Sequence, residues 1–353
     1  MMKDAATAVA NATTASGIPV HFFLPQYAWP PDEVLAGGVS RMVANFQSTD
    51  WVWNFNWHWT LQTYFWLRES GCTVHLAREF PVSGIVVTAI LPEEFRPGRN
   101  LFVVSIVGDG SPEPFAQMHV VQNRMQTRLV SNAHYVPFWP QPGLNCRDPA
   151  RGDAFKSLAY FGDDQNMADE LRSDEWSQFL ARRGIEWHVQ NAQSSRNTDF
   201  SDVDAVIGVR SFHRSGYIRK PASKLVNSWI AGVPSILGRE IAYREQRQSA
   251  LDYLEAGTFA QACDAVDKLA AAPELRRDMI ENGRRRAEQF TVPRIVAQWQ
   301  HVLFDLAQAA AVRWFESAPS GRSFFFLRRQ FERKSRGLIH RTLRAVDREQ
   351  YAM

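Results

Sequence analysis

The residues best suited to chemistry are crowded into 203–240, VDAVIGVRSFHRSGYIRKPASKLVNSWIAGVPSILGRE. This stretch reads as a strand, a basic loop, a short helix opened by Pro221-Ala222-Ser223-Lys224, and a second strand ending at Gly238. Lys224 stands in the first turn of that helix, where the dipole favours an anion rather than a cation. A phosphate docked beside it removes the conflict, because helix N-termini bind such groups through their free N–H donors. Arg210 directly follows the strand Ala205–Val209 and would emerge at the carboxyl edge of a sheet. Arg219 and Lys220 add charge, and His213 in the same loop would donate to a phosphate or line a cleft. Ser223 would cap the helix or give its hydroxyl to the phosphate. The competing reading is solvated surface charge beside an ordinary cap.

The first half of the chain carries sparser signals. Asp109 follows the apolar run Asn100–Val107, and His119 lies in the short apolar run Met118–Val121. Either would serve as general base for a hydroxyl nucleophile in a cleft, or be a satisfied loop acid and a buried ring. Gly37 and Gly38 would let backbone N–H groups approach a diphosphate or an acceptor. Tryptophan is dense in WVWNFNWHWT, and near-alternate spacing suggests that Trp53 and Trp57 face outward as a platform for a sugar ring. Packing against a neighbouring helix is the alternative. His58 has no partner at metal-ligand spacing, and no His, Cys and acid pattern suggests zinc. No GxGxxG followed by a ribose-binding acid favours a nicotinamide dehydrogenase.

These residues need a scaffold, and the patterning supplies one. Short β-branched runs at Pro19–Leu24, Thr73–Leu76, Gly84–Leu91 and Asn100–Val107 predict strands of a first α/β domain, with a helix over about Trp59 to Glu69. The Pro-rich segment 137–153 predicts a linker. Ser157–Phe161, Glu186–Val189 and Ala205–Val209 predict strands of a second domain, with helices over Met167–Arg182, 258–271, 274–288 and 292–310. Alternation of this kind implies parallel sheets covered on both faces. We therefore expect a flexible leader at 1–17, domains at 18–150 and 151–310, and a tail at 311–353.

Composition narrows the setting. The 353 residues are 45% apolar and 22% charged, as in globular proteins. Cys72, Cys146 and Cys263 are scattered singly, which suits a reducing, cytoplasmic compartment rather than a disulfide framework. The net charge of +3 conceals an uneven distribution. From Arg313 to the last residue there are ten Arg or Lys against four Asp or Glu, so that segment holds +6. Its mixture of arginine with Phe324, Leu327, Phe331 and Leu338 reads as basic amphipathic helix. Such a helix either lies on the inner, anionic face of a membrane as a peripheral anchor or packs back on the first domain. No zinc spacing or RNA-binding strand motif points to nucleic acid.

The run KPASKLVNSWIAGVPSILGREIAYRE, with GRRRAEQFTVPRIVAQW further on, resembles the donor-binding half of GT-B glycosyltransferases. The style is that of the group 1, family 4-like bacterial enzymes that build cell-surface polysaccharides and glycans. The resemblance spans about 155–310, and 18–135 only by architecture. It implies two Rossmann-like domains facing across a cleft, with a nucleotide-diphosphate sugar as co-substrate and a glycan or lipid-linked acceptor on the N-terminal side. By position, Arg210 and Lys224 would hold the diphosphate, Ser223 would assist, and Glu240 with Tyr243 would lie by the sugar or ribose. Many retaining members have paired glutamates eight positions apart, and Asn227 and Arg219 stand at those positions here. Asn227 would bond a ribose hydroxyl or occupy a buried helix face. Protein cations would replace a metal ion, so no metal is predicted. A sugar-nucleotide epimerase and a catalytically silent nucleotide- or glycan-binding partner remain as alternatives.

Overall fold

The computed structural model describes residues 17–45, 55–92, 95, 98–190, 198–213 and 216–332. Two all-parallel sheets organise them. The first contains β1 (Val20–Phe23), β2 (His75–Ala77), β3 (Gly84–Thr88), β4 (Leu101–Ile106), β5 (Met118–Val121) and β6 (Ala133–Tyr135), in the order β2-β1-β3-β4-β5-β6. The second contains β7 (Ser157–Phe161), β8 (Glu186–Gln190), β9 (Ala205–Gly208), β10 (Ser235–Leu237) and β11 (Leu254–Glu255), in the order β11-β10-β9-β7-β8. Numbered within its own domain, the first sheet runs 2-1-3-4-5-6 and the second 2-1-3-4-5, the doubly wound order whose switch point lies between the first and third strands. Two Rossmann-like domains thus face each other across a cleft, the architecture that the sequence predicts.

The central strands are buried along their whole length and mostly apolar because both faces are covered. Every residue of β3, β4 and β7 is buried, as parallel sheets sandwiched between helices require. In the first domain α1 (Asp32–Asn45) is interrupted at Gly38, whose φ of 52° leaves the helical region. A π-helical turn, Trp57–Leu61, leads into α2 (Gln62–Glu69), and α3 (Gln126–Leu129) precedes β6.

In the second domain the chain between β7 and β8 is less helical than the sequence suggests. Two 3-10 turns, Asp164–Asn166 and Asp169–Arg172, come first, and α4 covers only Asp174–Ala181. Two side chains divide this segment. Asp163 accepts from Gln165 N–H at 3.0 Å, and Ser173 caps α4 by accepting from Trp176 N–H at 3.2 Å. The remaining helices are α5 (Ser223–Ala231), α6 (Ile241–Gln246), α7 (Phe259–Ala271) and α8 (Pro273–Ala287).

The chain then crosses back. Helix α9 (Val292–Gln300), a π-helical stretch His301–Ala307 and α10 (Gln308–Glu316) lie on the first domain, not the second. Ile295, Trp299, Leu303, Ala307 and Ala311 enter the same core as Phe22, Phe65, Val104 and Trp139. Gln308 fixes the return by bonding both the N–H and the carbonyl of Ile18, at 3.0 and 2.8 Å. A last helix, α11, spans 319–332. Among the described residues, no helix is long and apolar enough to cross a membrane.

Candidate functional site

The carboxyl ends of β7 and β9 form the switch point of the second sheet, where ligands of such folds bind. Two glycines stand there, and both make room for Lys224. A Cβ on Gly208 would lie 2.7 Å from Leu237 Cδ2 and 2.9 Å from Lys224 Cδ. A Cβ on Gly162, at φ +129°, would lie 2.7 Å from Lys224 Nζ. The lysine stem therefore runs over the sheet edge from the first turn of α5, and its ammonium donates to the Phe161 carbonyl. The same ammonium stands 4.8 Å from the centre of the Tyr160 ring. Burial and the nearby Arg210 lower Lys224 to about 7, against the opposing pull of Glu240.

Arg210 leaves the end of β9 as expected and forms a buried ion pair with Glu240. The Tyr243 hydroxyl lies 3.4 Å from the same guanidinium. Burial raises Glu240 despite the pull of Arg210 and Lys224, and it raises Tyr243 as well. Glu240 and Tyr243 hold Arg210 from behind, and Tyr243 is fully buried. Glu240 Oε1 and Arg210 Nε are buried without a hydrogen-bond partner. Such groups are costly to leave unmade in a protein interior. Arg210 and Lys224 thus converge on one buried carboxylate, and Lys220 stands near enough to pull on it as well.

The start of α5 completes the cluster. Its N-cap is Ala222, and no side chain caps it. Ser223 is half-buried at the first helical position with its hydroxyl outside the capping role. The first-turn N–H groups and the positive end of the dipole therefore remain available beside Lys224. His213 is exposed, with its backbone N–H on Ser211 Oγ at 2.9 Å. Asn227 is buried on α5 and donates to Gln141 Oε1 at 2.8 Å, while its Oδ1 has no partner. Its amide points at the segment joining the domains.

The opposite wall belongs to the first domain. Asp109 follows β4 on a turn that needs glycine. Gly108 has φ +56°, and a Cβ there would lie 2.8 Å from the Trp59 ring and 2.9 Å from Phe55. Across the cleft Asp109 Oδ2 accepts from Lys220 Nζ at 2.7 Å, an ion pair about one-third exposed on each side. Gln246 to Tyr135 at 3.1 Å and Arg124 N–H to Glu245 at 2.8 Å also join the domains.

Other expected residues lie elsewhere. His119 is buried in β5, with Nδ1 and Nε2 at 3.0 and 2.8 Å from the carbonyl oxygens of Ser131 and Glu113. Gly37 and Gly38 lie within α1 rather than in an open loop. Trp57 is buried, donating to the Ala28 carbonyl at 2.7 Å. Trp53 and the leader through Ser16 lie outside the described residues, as does the chain after Glu332.

No family model matches this chain, and no curated protein matches it. Solved structures share its general arrangement. Anabaena Alr3699/HepE in complex with UDP is 10% identical, covering 81% of this chain and 100% of its own, with a TM-score of 0.45. A glycosyltransferase from Rickettsia africae ESF-5 is 8% identical, covering 82% and 100%, with a TM-score of 0.45. Sucrose-phosphate synthase (tll1590) from Thermosynechococcus elongatus is 12% identical, covering 80% and 81%, with a TM-score of 0.40. Each score is below 0.5, so the sheet order and the cleft residues of this chain carry the functional reading instead.

Three contributors to the cluster escape the sequence reading: Gly162, Gly208 and Tyr160. The signal for the glycines is their position, each at the end of an apolar strand, Ser157–Phe161 and Ala205–Gly208. One further pattern is Asp202-Val203-Asp204, which has the Asp-x-Asp spacing of metal-bridging carboxylates. It lies at the amino end of β9, away from the cleft. Asp204 there accepts from Arg147, Arg151 and the N–H groups of Lys156 and Ser157. Among the described residues, no group of three or more His, Cys, Asp or Glu is arranged to hold a metal.

Proposed function

We propose that this chain is a glycosyltransferase that moves a sugar from a nucleotide-diphosphate donor to a hydroxyl of a glycan or lipid-linked acceptor. The observation that carries this reading is the Lys224–Arg210–Glu240 cluster at the switch point of the second sheet. It adjoins an uncapped helix N-terminus and faces a carboxylate from the other domain. Arg210, Lys220, Lys224 and the first-turn N–H groups of α5 hold the diphosphate, with Ser223 and His213 at its margin. Asn227 Oδ1 takes a ribose hydroxyl. As the bond from the anomeric carbon to the diphosphate breaks, charge grows on the leaving oxygen and these fixed donors stabilise it. Asp109 takes the proton of the acceptor hydroxyl as the new glycosidic bond forms. The three cations supply the charge that a divalent ion supplies at other diphosphate sites.

The test is incubation of the purified protein with UDP-, GDP-, dTDP- and CMP-sugars, following binding and slow donor hydrolysis. We expect one nucleotide-diphosphate sugar to bind and release its nucleotide. An isomeric nucleotide-sugar as product would indicate an epimerase. Binding without turnover in the presence of a broad acceptor set would indicate a silent partner protein. Failure of every donor to bind would overturn the phosphate site itself.

A further inference from the structure

The two domains also border a cavity to which the donor cluster contributes no side chain. Its volume is about 460 Å³, within the range of small-molecule sites. Three parts of the chain line it. Arg124, which follows β5, and Tyr135, at the end of β6, come from the first domain. Gln246, at the end of α6, and Phe290 come from the second, and Arg294 and Gln298 from the returning helix α9. Among the described residues, no carboxylate lines this cavity.

The walls select the occupant by charge and by hydrogen bonding. The Arg124 guanidinium lies 4.2 Å over the Tyr135 ring, which orients it. Glu245 spends Oε2 on the Arg124 backbone N–H at 2.8 Å, and neither Arg124 nor Arg294 has an ion-pair partner among the described residues. Arg294 is exposed in the first turn of α9, whose N-cap makes no side-chain bond. As with Lys224, a cation there opposes the helix dipole until an anion docks. The Tyr135 hydroxyl accepts from Gln246 Nε2 at 3.1 Å, so its own proton is left for a second partner. Burial raises Tyr135 above its ordinary value and keeps that proton in place. Guanidinium forks match a carboxylate or phosphate, hydroxyl and carboxamide groups match sugar hydroxyls, and Phe290 offers an apolar wall. A smaller cavity adjoins this one, shares Tyr135 and Phe290 with it, and reaches Ser223 and Asn227 on α5. There the Gln122 and Asn227 carboxamide oxygens are buried without a hydrogen-bond partner.

We propose that the cavity between Arg124 and Arg294 binds an acidic sugar, a hexose unit that carries a carboxylate or a phosphate. The two guanidinium groups take the anionic group, while Tyr135 and Gln298 take ring hydroxyls. The unit arrives either free or within an acceptor chain that runs toward α5 along the smaller cavity. The acceptor clause rests on the transferase reading; the binding itself does not.

Titration calorimetry of the full chain should show binding of glucuronic acid or glucose 6-phosphate, and at least about tenfold weaker binding of glucose. The double variant Arg124→Ala/Arg294→Ala should weaken acidic-sugar binding at least about tenfold at an unchanged melting temperature. Arg294→Ala alone, at an exposed position, should act in the same direction. Lys224→Met should bind the acidic sugar as the wild type does, which separates this site from the donor cluster. With a nucleotide-sugar present, consumption of an oligosaccharide ending in glucuronic acid marks the unit as part of the acceptor. Binding of the free sugar without such consumption marks a separate ligand. The proposal is overturned if neither acidic sugar binds, if glucose binds equally well, if the arginine variants keep wild-type affinity, or if Lys224→Met abolishes binding.

Discussion

Lys224 gives the sharpest test of the donor site, because its charge should change where binding is easily measured. Its ammonium is lowered to about 7 in the free protein. The two phosphate groups of a nucleotide-diphosphate sugar are fully ionised from pH 6 to pH 9, so the protein alone titrates there. With the lysine at about 7, roughly half the molecules carry the charge at pH 7 and about one in a hundred at pH 9. A bound diphosphate restores the charged form, so binding takes up a proton above pH 7. Affinity should then fall about fiftyfold between pH 7 and pH 9, roughly 2.3 kcal/mol. The fall should stop at the level set by Lys224→Met. That variant loses one buried charge-assisted hydrogen bond, about 1.5–3 kcal/mol or 10- to 150-fold near pH 6. Isothermal titration calorimetry in buffers of different ionisation enthalpy reads both the affinity and the proton uptake. Affinity that is flat with pH in the wild type, together with an unchanged affinity in Lys224→Met, would refute the reasoning.

Further outcomes concern neighbouring groups. Asp109→Asn should lower transfer to acceptor about 100-fold or more while donor affinity stays within a few-fold, as a lost general base requires; parallel turnover and donor titrations check it. Gly162→Ala should strain a backbone at φ +129° and displace the Lys224 ammonium 2.7 Å from the new Cβ. We expect about tenfold weaker donor binding and unchanged circular dichroism. Asp204→Ala strands Arg147 and Arg151 beside β9 and should destabilise the second domain by about 3–5 kcal/mol, read as a lowered melting temperature. Burial alone would raise Asp204, yet bonds from Arg151, Lys156 N–H and Arg147 outweigh it and hold the carboxyl below its ordinary 3.8. Its contribution is therefore full above about pH 4 and is lost as acid takes the pH through the lowered value. Transfer activity should survive treatment with EDTA, since protein cations hold the diphosphate.

The legible parts of the fold were those in which one strand or helix turn decides the pattern. Gly84–Thr88 and Leu101–Ile106 are buried throughout and mostly apolar because helices cover both faces, and the run itself announces that. Lys224 was legible because a cation in a first turn conflicts with the helix dipole. What escaped depends on contacts between distant segments. Gly162 is an unremarkable strand end until Lys224, 62 positions later, passes over it. The alternating tryptophans suggested a platform, but a π-helical turn sends Trp57 toward Ala28 and Trp59 toward Gly108 and Phe138. Edge strand β6 was missed because its three residues are half-buried and have no apolar run to mark them.

The return of α9 and α10 to the first domain also governs how the protein can be made. Strands β1 to β6 all emerge from the ribosome before any of the second domain. Their core still lacks Ile295, Trp299, Leu303, Ala307 and Ala311, which follow at the far end of the chain. The second sheet and the cores around it draw on residues 144–290 and need nothing from α9 or α10. During synthesis the domain begun second can therefore finish first, while the domain begun first waits with part of its apolar surface open. A stop codon just before Val292 would leave every strand of both sheets in place and yet release a first domain unable to close its core.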